Sequence, residues 1–475
     1  MAFNNKIAPR SVDLSDWYLS VVEQAGLADY GPVKGTMIIL PYGYAIWEKI
    51  VAFMDHEIKQ KGVENAYFPL FIPESFLTKE KKHVEGFAPE CAYVTIGGGE
   101  TLTERLVVRP TSETIMYHTY AKLISSHRDL PLVMNQWNNV VRWEKRTFPF
   151  LRTSEFLWQE GHGAHATKEE NYEMVEWGIR FYEKTFRDLL AVPGIVGKKS
   201  ESEKFAGADS TLTYETLMPS GKALQSCTSH DLGQNFSKTF EIKFQDKDGT
   251  SKFVWQNSWG FSTRSIGAMV LAHGDDKGLV LPPRVAPIQV IILVIRPTEE
   301  LDIQAKKIAS ELKGHGIRVK IDSDDTKSVG YRINDAEIRG IPLRLELGQR
   351  ELDQNQLTLA KRNTGEKLTF SVDQIVSQVP QLLETIHNEM LTKAENFLNE
   401  NIRDATSYEE FKQILETHRG FVRVFWNQSE ESETKIKLDC KCVSRCLPLD
   451  QEAKQGKDFQ TGEPSTTQWL FAQAY

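Results

Sequence analysis

Seven residues, LPPRVAP from Leu281 to Pro287, hold three prolines. Such a run continues neither a helix nor an internal strand, because each proline fixes φ and lacks the amide proton that a hydrogen-bond ladder needs. The chain must therefore divide there, and its texture changes across the division. IQVIILVI, a helical pattern from Glu299 to Leu312, IRVKID, a helix around Ile333 to Ile338, LRLEL and LTLAKR alternate strand and helix as an α/β unit of roughly 100 residues does. A helix continuing past Pro380 closes it. Beyond about Thr392 come a charged helix, a FVRVFW strand and a cysteine cluster, with no internal repeat. The 475 residues suit three domains at about 150 residues each, and the boundaries read 1–283, 284–391 and 392–475.

Before the division the chain mixes helices with antiparallel signals. Ile46, Trp47, Ile50, Val51, Met54 and Ile58 recur at helical spacing to Lys61, and Gly62 stops the pattern before the strand-like VENAYFPLFIP. LVVRP leads into a helix that Thr111 or Ser112 can cap, leaving N-terminal amides to face a ligand. VVRWEK and SEFLWQEGH read as two arms of a hairpin around the loop RTFPFLRT. Thr167 to Leu190 reads as a helix with Thr167 and Glu170 as a capping box, and Leu224 to Val270 as a strand-rich stretch.

Several function classes are excluded early. Val290 to Ile295 is the longest apolar run, far short of the roughly 20 residues of a membrane-spanning helix, so no membrane partner is expected. The opening MAFNNKIAPRSVDLSDWY has no export pattern. Five cysteines, at 91, 227, 440, 442 and 446, form no disulfide framework, and a cytoplasmic location follows. A net charge of −8 argues against coating nucleic acid by bulk charge, while leaving room for a local RNA-binding patch.

GHGAHA, Gly161 to Ala166, matches GxGxxA but follows a hairpin arm and lacks the βαβ context of a dinucleotide site; a Walker sequence is absent. His162 and His165 lack further metal-ligand partners nearby. Cys440, Cys442 and Cys446, with His418 upstream, offer three thiols where a closed zinc site takes four ligands. Arg142 and Glu144 alternate on one arm of the hairpin and Arg152 and Thr153 start the other, giving either solvated cross-strand ion pairs or an arginine-rich anion site. Arg264 lies in WGFSTRSIG among small residues that let a phosphate approach the backbone.

Taken in order, these segments resemble the three signature motifs of class II aminoacyl-tRNA synthetases, and within them the prolyl-tRNA synthetase family of the archaeal and eukaryote-like type. KGVENAYFPLF with its helix resembles motif 1, VRWE with LRTSEFLWQEGH motif 2, and WGFSTRSIG motif 3; RPTSET, FLWQEGH and GKALQSCTSHDLGQNF carry the prolyl signature. The resemblance implies an α+β catalytic domain, an antiparallel sheet with flanking helices, followed by an α/β anticodon-binding domain and a small α+β C-terminal domain. It implies a homodimer built on motif 1, with L-proline, ATP and tRNA(Pro) as substrates and Mg2+ accompanying ATP. The reaction implied is formation of prolyl-adenylate and transfer of proline to the tRNA 3' end.

By the same resemblance Arg142 bridges the α-phosphate and the proline carboxylate, Glu144 reads adenine, Arg152 and Thr153 hold phosphates, and Arg264 is a second clamp. Gln225, Thr228 and Ser262 contact the nucleotide. Thr111 and Glu113 meet the secondary ammonium of proline, and Trp158, His162, Phe205 and His230 wall its ring. Alanine and cysteine are the expected hard competitors. The interval from His162 to Gln256 has no room for the editing insertion of bacterial-type relatives, so no hydrolysis of alanyl-tRNA is expected. In GIPLRLELGQRE, Arg344, Glu346 and Arg350 are candidates for reading the anticodon.

Three departures stand out. Asn427, Ser432, Asp458 and Thr461 occupy the positions of the family's four zinc-binding cysteines, so no structural zinc is expected. Gly163 stands where threonine is usual, and Cys227 where glycine is, its thiol either inert or modifiable. LFAQAY resembles the family's ending, whose terminal tyrosine packs back towards the active site. The alternatives are a silent paralogue that binds RNA and a class IIa synthetase for another small amino acid.

Overall fold

The structure, a computed structural model, describes residues 7–78 and 91–475. Its centre is an 11-stranded sheet. The hairpin Leu132–Val141 and Glu155–His165 supplies two neighbouring strands, next to which lie Trp255–Ser262, Ala223–Gly233, Ser210–Leu217 and Gly194–Lys198, all antiparallel to their neighbours. One face is covered by the helix Lys168–Lys184, whose Trp177, Phe181 and Tyr182 pack edge-on or tilted against Trp259. The opposite face is left to form a pocket. Gly161, within the GHGAHA run, lies inside a strand, where a Cβ would stand 2.1 Å from the Trp259 ring. That glycine makes room for an indole, and no phosphate loop exists there.

Local structure corrects several expectations. The first hairpin arm ends at Val141, so Arg142 and Glu144 are not alternating strand residues. The Glu144 amide turns back to the Arg142 carbonyl at 2.7 Å, which takes the chain out of the ladder. Ser112 precedes the helix Glu113–Leu123 without capping it by its side chain, because its hydroxyl donates to Glu160. Thr167 accepts the Glu170 amide, one half of a capping box; its α-helix stops at Lys184 and widens into a π turn, Thr185–Leu189. The stretch to Val270 is strand only as far as Ser262, since Arg264–His273 is a buried helix. Gly194–Lys198 and Ser210–Leu217 are strands that the sequence reading did not anticipate.

The proline-rich junction is fastened largely through side chains, Gln289 Nε2 donating to Pro283 O at 3.0 Å. Arg318 donates to the carbonyls of Ala286, Pro283 and Arg284 at 2.8, 2.9 and 3.1 Å, tying the linker to the second domain. That domain holds a five-stranded sheet in the order Val319–Asp322, Val290–Val294, Leu343–Leu347, Gln356–Lys361, Lys367–Ser371; its first three strands are parallel and its last two antiparallel. The helix Ile375–Glu400 contains Pro380 and runs unbroken across positions 391 and 392.

The C-terminal segment joins the central sheet. Val443–Pro448 pairs with Gly194–Lys198 through Leu447 opposite Lys198, and Gln468–Ala472, Phe421–Phe425 and Ile402–Asp404 continue outward. Gly197 permits this approach, because a Cβ there would lie 2.5 Å from Cys446 Cβ. Cys442 and Cys446 are buried among apolar side chains, and among the described residues no three His, Cys, Asp or Glu side chains form a metal cluster. Among those residues, too, no helix is long and apolar enough to cross a membrane.

Candidate active site

The uncovered sheet face and the helix Glu113–Leu123 enclose one pocket. Its lining includes Thr111, Glu113, Arg142, Trp158, His162, Phe205, Gln225, Thr228, His230, Ser262 and Arg264, eleven of the positions read from the sequence, gathered from six segments. Buried Arg109 sets the entrance strand. Its guanidinium donates to Asn139 O at 2.8 Å and Phe68 O at 2.6 Å, holding RPTSE against the hairpin, and Arg142 Nε in turn donates to Pro110 O at 3.1 Å.

The pocket has a cationic side. Arg264 is anchored by Nε to Leu151 O and by Nη1 to Gln225 O, both at 3.0 Å. Its pKa is lowered to about 10, first by burial and then by repulsion from Arg142 and Arg152. Like charges held together in a low-dielectric cleft are relieved by an anion, so the arrangement is suited to a polyphosphate. The Arg142 guanidinium also stands 5.5 Å from the Phe156 and Trp158 rings.

The other side is shaped for a small ring and an ammonium group. Trp158 and His162 project from alternate positions of one strand; Phe205 stacks on His230 with centroids 4.4 Å apart. His230 is fixed between Thr211 Oγ1 and Thr228 Oγ1, each at 3.0 Å. Thr111 Oγ1 donates to the Glu113 carboxylate.

Three expected residues lie outside this lining. Arg152 pairs with Glu144 at 3.1 Å beyond the strand ends, the cross-strand ion pair of the alternative reading, and Thr153 Oγ1 is spent on Glu155 O at 2.8 Å. In the second domain Arg344 donates to Glu346 at 3.1 Å and Lys367 shares that carboxylate, while Arg350 lies on the short helix Gln349–Asp353. Arg344, Lys361, Arg362 and Lys367 line one cleft there together with Glu337 and with Asp275 and Lys277 of the first domain.

The sequence reading missed Glu160, which lines the pocket between Trp158 and His162. Strict alternation along FLWQEGH was the available signal, since residues 158, 160 and 162 of one strand share a face. Arg109 was passed over because a lone arginine before proline has no distinctive spacing.

At 427–461 the four positions opposite the family's zinc ligands do come together, in a form unlike a thiolate site. The Asp458 carboxylate accepts the amides of Asn427, Gln460 and Thr461 at 2.7, 2.9 and 2.9 Å, and Ser432 Oγ accepts the Trp426 indole proton at 2.7 Å. These side chains do not fit zinc. At the chain end Tyr475 OH lies 2.9 Å from Ser220 Oγ.

Comparisons with known proteins agree with this geometry. Residues 94–273 match the family described as tRNA synthetase class II core domain (G, H, P, S and T), residues 289–382 an anticodon binding domain, and residues 408–475 the prolyl-tRNA synthetase C-terminal domain. Relatives include a proline–tRNA ligase of Rubrobacter xylanophilus, 50% identical over 99% of both chains, and one of Chlorobaculum tepidum, 50% identical over 99% of this chain and all of that one. A crystal structure of Cryptosporidium parvum prolyl-tRNA synthetase, complexed with halofuginone and AMPPNP, superposes with a TM-score of 0.96 at 41% identity, covering 99% of this chain and 100% of its own. The chain belongs to the class II prolyl-tRNA synthetase family, in its archaeal and eukaryote-like branch, and its activity is that of a proline–tRNA ligase using proline, ATP and tRNA(Pro).

Proposed function

We propose that this one pocket carries both half-reactions, with the roles divided between its two sides. Proline arrives with its carboxylate already ionised, so activation needs placement and charge neutralisation more than a general base. A carboxylate oxygen attacks the α-phosphorus of ATP and pyrophosphate leaves. Arg142, tethered to Pro110 O, holds the attacking carboxylate and the α-phosphate together, its planar fork matching both. Arg264 takes developing phosphate charge, Gln225, Thr228 and Ser262 line the nucleotide side, and Glu144, Arg152 and Thr153 close over the adenine and outer phosphates from the loop. Magnesium enters as part of the ATP substrate. In the second step a tRNA 3'-terminal hydroxyl attacks the adenylate carbonyl and AMP leaves.

Glu113 and Thr111 receive the secondary ammonium, and Trp158, His162, Phe205 and His230 enclose the ring. About three methylenes at roughly 0.8 kcal/mol each limit the selection against alanine and cysteine. Between His162 and Gln256 the chain is used up by the back helix and sheet strands, which supports the absence of alanyl-tRNA hydrolysis. Arg344, Glu346 and Arg350 read the anticodon. Exposed Tyr30, Ile38, Tyr44, Tyr67 and Phe71 around motif 1 favour a homodimer on that face, and the free cysteines suit the cytoplasm. The C-terminal domain carries no structural zinc.

The observation that carries this reading is the convergence of Arg142 and Arg264 with Thr111, Glu113, Trp158 and His162 on one pocket. It is tested by amino-acid-dependent ATP–pyrophosphate exchange with proline, alanine, cysteine, threonine and glycine. Proline should dominate, by roughly 10- to 100-fold over alanine and cysteine, and Arg142→Ala should abolish exchange. Exchange that survives that substitution overturns the assignment.

A further inference from the structure

Beneath the proline side of the pocket, Glu160 is a fully buried carboxylate surrounded by donors. Asn138 Nδ2 reaches it at 2.7 Å, Gln136 Nε2 at 3.0 Å and the Ser112 amide at 3.2 Å, with the Ser112 hydroxyl a fourth donor. His162 Nε2 lies 3.0 Å from Oε2, the oxygen that also accepts the Ser112 amide. The Asn138 and Gln136 amide nitrogens and the Ser112 backbone amide offer Glu160 only N–H groups, so its carboxylate oxygens are the acceptors at these contacts.

The second ring nitrogen of His162 also faces an acceptor. Nδ1 lies 3.4 Å from Tyr117 Oη, whose single proton is already committed to Asn257 O at 3.0 Å. The phenol oxygen can therefore only accept from the ring. A neutral imidazole has one N–H and would leave one contact unmade in a site 1% exposed. With both nitrogens facing acceptors, the hydrogen bonds close only for the doubly protonated ring.

We propose that His162 is an imidazolium in the resting enzyme, ion-paired with Glu160, and that Glu160 is thereby a positioning residue for proline recognition; this rests on the pocket assignment above. The pair is neutral as a unit. It leaves Glu113 to meet the substrate ammonium, where an uncompensated Glu160 would compete for it two residues along the pocket wall. The charged and titratable groups facing His162 are Glu160 on its own strand and Glu113, Tyr117 and Tyr120 on the packed helix, with His230 across the pocket. Burial works against the ring's charge, yet the Glu160 hydrogen bond and the charges of Glu113 and Glu160 outweigh it and hold the pKa above the ordinary histidine value.

The test is the side-chain nitrogen spectrum of histidine-labelled enzyme near pH 7, with His162 identified by the signal lost in His162→Gln. Two protonated ring nitrogens are expected; a neutral tautomer overturns the proposal without touching the pocket assignment. Glu160→Gln should lower the pH at which His162 titrates by about one unit or more and raise the KM for proline at least about tenfold, leaving that for ATP within about twofold. An unchanged titration and proline KM overturn the positioning role. Signals of His162 that ignore added proline would instead overturn the pocket assignment.

Discussion

Arg445, on the strand of the C-terminal segment that abuts the catalytic sheet, donates through Nε and Nη2 to one oxygen of Glu215, at 2.8 and 2.5 Å, in the interior of that sheet. Lys199 approaches the other Glu215 oxygen at 2.8 Å, and Thr213 Oγ1 donates to it at 2.8 Å. All three charged side chains are buried. Removing Arg445 takes both donors from one buried Glu215 oxygen and leaves only Lys199 on the other, and breaking a buried pair costs roughly 3–5 kcal/mol. Arg445→Ala should lower stability by about that amount, measured by denaturant unfolding, and should open the Leu447 junction to limited proteolysis.

The same carboxylate sets an acid limit. Burial alone would raise the Glu215 pKa, but Arg445 and Lys199 bring it down to about 2 from an ordinary 4.5. A depressed folded-state pKa gives stability that is full above the unfolded value and is lost as pH falls towards the folded one. Unfolding free energy should therefore decline by about 3 kcal/mol from this group between roughly pH 4.5 and 2. Glu215→Gln should flatten that segment of the stability profile, and an unaltered slope would contradict the assignment.

Mutual repulsion of Arg264 with Arg142 and Arg152 predicts a specific kinetic signature. Arg264→Ala should reduce proline-dependent exchange by about 100-fold or more, because a preorganised cation at a developing charge is worth about 3 kcal/mol or more. Its folding stability should fall far less than for Arg445→Ala, since a repelled cation is removed. Comparing exchange rates with unfolding midpoints separates the two effects.

Thiol reactivity should divide the cysteines. Burial pushes the Cys227 thiol well up, and it raises Cys442 and Cys446 too. Brief alkylation of folded enzyme near neutral pH should label the half-buried Cys91 and Cys440 first, read by peptide mass mapping. Rapid, ATP-sensitive labelling of Cys227 would place its thiol in the pocket.

The hydrogen-bonded knot around Asp458 predicts indifference to metal removal. Chelators should leave the melting temperature unchanged, whereas Asp458→Ala strands three amides, at about 1–3 kcal/mol for each buried group left unmatched. Stoichiometric zinc by elemental analysis would remove this account.

The family, its domain order and most of the pocket were legible in the sequence because RPTSET, FLWQEGH and WGFSTRSIG keep chemistry-bearing residues at fixed local spacing. Glu160 was legible in principle, lying in register between Trp158 and His162. Arg445 and Glu215 were not, since 230 positions separate them and neither has a local pattern that points to the other. The loop positions of Arg142 and Glu144 were obscured because β-branched Val140 and Val141 make the run look like strand to its end. Gly194–Lys198 is short and glycine-bounded, and it becomes a strand through pairing on both edges rather than through local propensity.

That pairing has a consequence for the order in which the enzyme is made. On the ribosome the strand Gly194–Lys198 emerges long before Val443–Pro448, the partner that covers its outer edge. Until that partner has been synthesised, the catalytic sheet waits with a row of open backbone groups, a ready template for wrong pairing with neighbouring nascent chains. The anticodon-binding domain, with its own closed core, can mature in the meantime. Completion of the catalytic sheet is thus timed by translation of the segment that lies farthest from its active-site motifs along the chain.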